Sequence, residues 1–152
     1  MKITYKGDYA LKALLQLALR YNENDVLSIP EIAKFGDMPV KFLEQILLIL
    51  RKGGFVKAKR GVQGGFSLAR QPKDITIGDV IRFIEGPIEP ISCVEKGHYK
   101  GCKDVSSCIF RGVWAEVSHA ISVVVDTLTF EELVMRHKEK NPNARSVHEY
   151  SI

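Results

Sequence analysis

Pro39-Val40-Lys41-Phe42-Leu43-Glu44-Gln45-Ile46-Leu47-Leu48-Ile49-Leu50-Arg51-Lys52-Gly53-Gly54-Phe55-Val56-Lys57-Ala58-Lys59-Arg60-Gly61-Val62-Gln63-Gly64-Gly65-Phe66-Ser67-Leu68-Ala69-Arg70 changes its periodicity once, and that change decides the fold. Up to Lys52, the apolar residues Leu43, Ile46, Leu47 and Leu50 recur at the spacing of one helical face. Pro39 suits the first helical turn, where its missing N–H has no partner to lose, and Gly53-Gly54 ends the helix. Beyond the glycines, Phe55–Arg60 and Phe66–Arg70 read as two strands. Gly61-Val62-Gln63-Gly64-Gly65 joins them as a turn whose glycines permit positive φ. The stretch therefore predicts a helix followed by a β-hairpin with a basic, glycine-rich tip.

Working outward, Leu11, Leu14, Leu15 and Ala18 mark one face of a helix over residues 8–21, widened by Leu17 and Tyr21. Ser28-Ile29-Pro30-Glu31 is a capping box that starts a short helix reaching about Phe35 and stopping at Gly36. Thr76-Ile77-Gly78-Asp79 caps a fourth helix, which Gly86-Pro87 ends. Three helices and then a hairpin are the order of a winged helix-turn-helix, here over residues 1–86. Residues 87–108 lack sustained periodicity and hold Cys93, Cys102 and Cys108, so they read as an irregular sensor loop.

From 109 onward Val113, Val117, Ala120, Ile121, Val124 and Leu128 repeat at helical spacing, and Trp114 and Val125 extend the apolar surface around the helix. Such a helix needs cover, and packing against its twin in a homodimer supplies it. Thr129-Phe130-Glu131-Glu132 starts a last short helix to about Arg136, so 109–136 is expected to be the dimerisation unit and 137–152 a flexible tail. The expected fold is mainly α with a small β-hairpin: a winged helix-turn-helix plus a long C-terminal dimerisation helix.

The chain has 152 residues, 45% of them hydrophobic, enough for a real core without disulfides. No run approaches the roughly 20 apolar residues of a membrane span, and no apolar signal segment follows the N-terminal lysines, so the expected location is the cytoplasm, with no membrane partner. Residues 1–75 carry 13 Lys and Arg against 7 Asp and Glu, whereas residues 76–152 carry 9 against 11. From Arg51 to Arg70 there are six basic residues and no acidic one, which suits a polyphosphate partner.

Those features point to double-stranded DNA. A helix fills the major groove, where Gln can bond adenine and Glu can accept from cytosine, so Lys41, Glu44 and Gln45 are the candidate readers, with Arg51 farther along the same polar stripe. Leu48 shares that stripe without explanation. In the hairpin, Lys59, Arg60 and Gln63 beside the slim Gly61 and Gly64 can approach the backbone or a narrow minor groove. A phosphate-binding loop of the nucleotide-binding kind is excluded by its absent glycine-lysine pattern. A small thiol- or metal-dependent enzyme is the rival class, but no nucleophile elbow, H-E-x-x-H or C-x-x-C is present. An RNA-binding or structural adaptor built on the same fold is a third.

Three cysteines within 16 residues pose a metal or redox question. Cys93, Cys102 and Cys108 with His98 form a Cys3His pattern for zinc. Redox-active thiols, or inert ones needing no cofactor, are the other readings of the same residues.

Three segments carry a resemblance that covers nearly the whole chain: Asp8-Tyr9-Ala10-Leu11-Lys12-Ala13-Leu14, Phe42-Leu43-Glu44-Gln45-Ile46-Leu47, and Arg60-Gly61-Val62-Gln63-Gly64-Gly65-Phe66-Ser67-Leu68-Ala69. The sequence resembles the bacterial winged-helix regulators that include IscR, NsrR and CymR. The resemblance implies a homodimeric repressor on palindromic DNA, sensing redox, nitric oxide or iron-sulfur status. It implies an iron-sulfur cluster, 2Fe-2S or 4Fe-4S, on Cys93, Cys102 and Cys108, with Asp8 at the position from which the NsrR type supplies a carboxylate across the dimer. Two departures stand out: a longer gap after the first cysteine, and Arg111 where the IscR type has a histidine.

Overall fold

The computed structural model describes residues 2–23, 25–95 and 101–142. Helix α1 (Tyr5–Leu19) is followed by a 3₁₀ turn at Tyr21–Glu23, α2 (Ile29–Gly36), α3 (Val40–Lys52), the hairpin β1 (Val56–Lys59) and β2 (Gly65–Leu68), and α4 (Ile77–Glu85). A 3₁₀ turn at Ser92–Val94 precedes α5 (Ile109–Thr127) and α6 (Phe130–Lys140). The expected elements are present. α1 begins three residues early, and α6 runs four residues past Arg136, so 137–140 are helical rather than tail.

Local chemistry explains the boundaries. Between α2 and α3 the left-handed position is Asp37 (φ 49°) rather than the expected glycine, a conformation Asp tolerates better than most residues. A Cβ at Gly36 would touch the end of the tucked, flexible Met38 side chain. Glu31 accepts from both the N–H and the hydroxyl of Ser28, at 2.7 and 2.6 Å, so that hydroxyl is spent on the carboxylate. Thr76 and Asp79 form the reciprocal cap of α4, each bond 3.0 Å long.

The core is built on α1. Its face of Ala10, Ala13, Leu14, Leu17 and Ala18 is small enough for several elements to approach closely, and all five are at most 5% exposed. Leu43, Ile46, Leu47 and Leu50 of α3, Ile32 of α2, Ile75 and Val80 complete one hydrophobic cluster. Each fully buried Leu or Ile contributes about 1.5–3 kcal/mol. The same cluster contains Phe130, at 0% exposed, so α6 returns to the winged-helix core. The return is fixed by backbone bonds from Ile77 N–H to Leu128 O (3.0 Å) and from Phe130 N–H to Ile75 O (3.0 Å). It is also fixed by Arg82 of α4 gripping Asp126 of α5 at 2.5 and 3.1 Å. Gly78 is where they cross, because a side chain there would collide with the Asp126 carboxylate.

α1 and α4 are joined at the other end. Glu85 Oε1 accepts from the Thr4 N–H (3.0 Å), the Thr4 hydroxyl (2.6 Å) and the Gly7 N–H (3.1 Å), so a side chain from α4 caps the N-terminus of α1. Burial alone would raise this carboxyl, but the donors on Thr4 and Gly7 together outweigh it and hold Glu85 below its ordinary value of 4.5. A depressed carboxylate stabilises the fold above its unfolded pKa, and the contribution disappears as pH falls through the folded one. Glu85→Ala is therefore expected to lower stability by about 1–2 kcal/mol at neutral pH, the usual cost of a lost cap. In urea melts, the gap from wild type should close as the pH is taken below 4.5; a pH-independent gap would refute the capping role.

Candidate nucleic-acid interface and cysteine segment

The α2–α3 pair is positioned by α1. Tyr9 of α1 meets Phe42 of α3 edge to face at 5.7 Å, one of the contacts between the two helices. With Leu43, Ile46, Leu47 and Leu50 buried, helical geometry turns Lys41, Glu44, Gln45, Leu48 and Arg51 outward, and all five are exposed. Every predicted reader on α3 thus shares one solvent face.

The wing pairs Val56 with Leu68 and Lys59 with Gly65 in antiparallel register. Gly61 holds φ +113°, and its carbonyl accepts from the Gly64 N–H at 3.0 Å, closing the turn. A side chain at 64 would strike the Lys59 carbonyl, so this position is fixed by close backbone approach. Leu27 joins the hairpin as a third rung, exchanging bonds of 2.9 and 2.8 Å with Phe66. The wing is thereby tied to the chain just before α2, and Lys59, Arg60, Gly61 and Gln63 are exposed along it. Between wing and α3 lies an open groove of about 340 Å³ lined by Val40, Glu44, Lys59, Gly64 and the Ser28–Pro30 start of α2. The helix and wing candidates therefore meet on one side of the molecule.

Sequence reasoning overlooked some of this. Arg70, counted in the basic run, folds over the Phe55 ring at 4.4 Å and is half-buried. The groove start at Ser28 was read only as a helix cap, and Val62 at the tip is fully exposed. Nothing in the hairpin sequence shows which aromatic ring Arg70 will face.

Cys93 lies in the 3₁₀ turn before α5 and Cys108 is the N-cap of α5, both half-buried; Cys102 is exposed. Arg111 joins the first two: its Nε donates to the Cys93 carbonyl at 3.3 Å, and its N–H to the Cys108 carbonyl at 3.3 Å. Beside Cys108 is a cavity of about 310 Å³ lined by Val94, Val105, Ser106, Arg111, Gly112 and Ala115. Among the described residues, no three Cys, His, Asp or Glu side chains converge, and His98 lies outside them. Asp8 sits in the first turn of α1 and pairs with Lys12 at 2.7 Å, a bond that chiefly accounts for the raised lysine pKa. α5 buries none of its residues; Ile109, Phe110, Val113, Trp114, Val117, Val123 and Val124 are all more than a third exposed.

A recognition-type helix and a basic wing on one face define a winged helix-turn-helix DNA-binding transcription regulator. The chain belongs to the Rrf2 family, whose description is iron-dependent transcriptional regulator and whose profile matches residues 3–136. It is 44% identical over 137 residues to an rrf2-like HTH-type transcriptional regulator of Rhodobacter capsulatus, covering 87% of this chain and 91% of the relative. It is 35% identical to the HTH-type regulator CymR of Bacillus subtilis, covering 88% and 89%. The solved structure of that CymR, the global cysteine regulator, superposes with a TM-score of 0.77 at 34% identity over 90% of this chain and 98% of its own. T. potens IscR superposes with a TM-score of 0.73 at 33% identity, covering 92% and 90%. Family and relatives are transcription regulators, which sets the enzyme reading aside. Among the described residues, no helix is long and apolar enough to cross a membrane.

The wing anchor yields a direct test. A methyl group at position 65 would collide with the Leu27 carbonyl, so Gly65→Ala should break the Leu27–Phe66 rung at a cost of about 1–3 kcal/mol. Hydrogen exchange at the Leu27 and Phe66 amides should accelerate while α1 stays protected; unchanged exchange at both would refute the anchor.

Proposed function

We propose that the chain is a cytoplasmic homodimeric repressor that binds a palindromic duplex and senses redox, nitric oxide or iron-sulfur status through Cys93, Cys102 and Cys108. In this reading Lys41, Glu44 and Gln45 contact base edges in the major groove, Arg51 and Lys59 the phosphates, and Arg60, Gly61, Gln63 and Gly64 the neighbouring backbone or minor groove. The uncovered apolar side of α5 supports dimerisation, because seven large hydrophobic side chains left in water would otherwise have no cover.

The observation that carries the sensing half is Arg111. It ties the Cys93 segment to the start of α5, while Asp126 near the other end of α5 is held by Arg82 of α4. A change at the cysteines thus has a route of direct contacts to the DNA-binding unit. Three thiols are a soft partial donor set suited to an iron-sulfur cluster, which takes four ligands. Cys93, Cys102 and Cys108 would hold it. Arg111 is no substitute for the histidine of the IscR type, since a guanidinium stays protonated. Asp8 of the partner subunit is the proposed fourth ligand, and Lys12 then has to release it. When bound, the cluster would supply reversible redox and ligand-exchange chemistry; the protein contributes the cysteine spacing and the Arg111 tether. Zinc on the same cysteines with His98 is the reading against which this one is tested.

Two outcomes are expected. Arg60→Ala should weaken operator binding by about 1–3 kcal/mol with an unchanged melting temperature, and equal affinity at matched salt would remove it from the interface. Anaerobically purified protein should show visible absorption with iron and acid-labile sulfide. The triple Cys→Ala variant should sediment as a dimer and bind operator without responding to nitric oxide or oxygen. Stoichiometric zinc without sulfide would replace the cluster with a Cys3His site.

A further inference from the structure

The exposed stripe of α3 contains one residue that neither the core nor phosphate recognition accounts for. Leu48 is 47% exposed and takes no part in the hydrophobic cluster. Single exposed leucines are ordinary on protein surfaces, so exposure alone decides nothing. Its place on the helix does. Leu48 stands one turn beyond Glu44 and Gln45, two turns beyond Lys41 and one turn before Arg51 and Lys52, with Leu43, Ile46, Leu47 and Leu50 buried on the opposite side. It is central in the stripe, and its neighbours on that face are charged or amide side chains. The other exposed apolar side chains of α3 have visible partners: Phe42 packs on Tyr9, and Val40 lines the groove to the wing.

We infer that Leu48 is a specificity-determining residue that reads a thymine by apolar contact with its C5-methyl group. The inference rests on the reading that α3 enters the major groove. Of the groups displayed in that groove, the thymine methyl is the apolar one, and aliphatic side chains recognise it by excluding water rather than by hydrogen bonding. Cytosine at the same place presents an amino group and no methyl, so it would leave the leucine against a polar edge. Leu48 lies about 4.5 Å along the helix from Gln45, at 1.5 Å per residue. That distance is close to the roughly 3.4 Å base-pair spacing, so the thymine should fall in the step adjoining the base met by Gln45.

The experiment begins with full-length protein and a random duplex library. Operators enriched from it are remade with deoxyuridine replacing each thymine in turn, which removes the methyl and nothing else. One symmetric pair of thymines is expected at which the double replacement lowers wild-type affinity by roughly 15-fold, about fourfold per half-site for one methyl each. Leu48→Ala should melt like wild type, bind the unmodified operator more weakly, and be indifferent to deoxyuridine at that pair. Leu48→Gln should lose the preference for thymine there while keeping preferences elsewhere. If no thymine methyl matters, or if Leu48→Ala is as sensitive to its removal as wild type, the assignment is wrong. If no duplex is enriched at all, it is the major-groove reading that fails.

Discussion

The architecture turns on the place where the chain comes back. Phe130 is completely buried among residues from the first half of the sequence, and the strand-like rung of Thr76 with Thr129 sits beside it. An aromatic ring of this size accounts for a large share of what one residue can contribute to a small core. Because α5 ends three residues earlier, at Thr127, its exit direction is set by that burial. The helix, about 28 Å long at 1.5 Å per residue, then carries the cysteine segment away from the core on its far end. The uncovered apolar side of α5 is a consequence: among the described residues, α4 and the 3₁₀ turn at Ser92–Val94 pack against the helix but leave that side open.

How much of this was legible in the sequence depended on range. The helices and hairpin were readable because their signals are local: Leu43 to Leu50 repeat with helical period, and Ser28, Thr76 and Thr129 stand at helix starts. What could not be read was who meets whom. Thr4 and Gly7 give no hint that a carboxylate 81 and 78 residues away caps them, and Arg82 gives none that Asp126 waits across a loop. Even Asp37, at the left-handed corner, was hidden by the glycine beside it, since either residue type can take that conformation. Within the candidate site, the exposed stripe of α3 that carries the proposed readers was legible because exposed polar residues on an amphipathic helix are defined by its buried face. The Leu27 rung that anchors the wing, and the Arg111 tether to Cys93, depend on folds of the backbone and left no pattern in the sequence.

The magnitudes decide which of the α4–α5 contacts makes the connection firm. Arg82 and Asp126 form a bidentate pair, but their side chains are 36% and 43% exposed. Pairs with this degree of exposure contribute about 0–1 kcal/mol, and salt screens them further. Phe130 has no exposure, and its burial with the two flanking backbone bonds is worth several times as much, since truncating a buried Phe costs about 3–5 kcal/mol. The buried ring therefore holds the root of α5, and the ion pair adds a weaker, salt-sensitive contact beside it. On these magnitudes the base of α5 is held far more strongly than its side contact to α4. In the proposed regulator, a small change at the cysteine end would tilt α5 about Phe130, and in a dimer the spacing of two recognition helices would follow. The work available is bounded by how differently DNA binds the two arrangements, typically about 1–3 kcal/mol, which is comparable to the exposed ion pair and below the buried ring. A signal of that size can redirect α5 without pulling α6 from the core, so the fold survives the switch that it transmits.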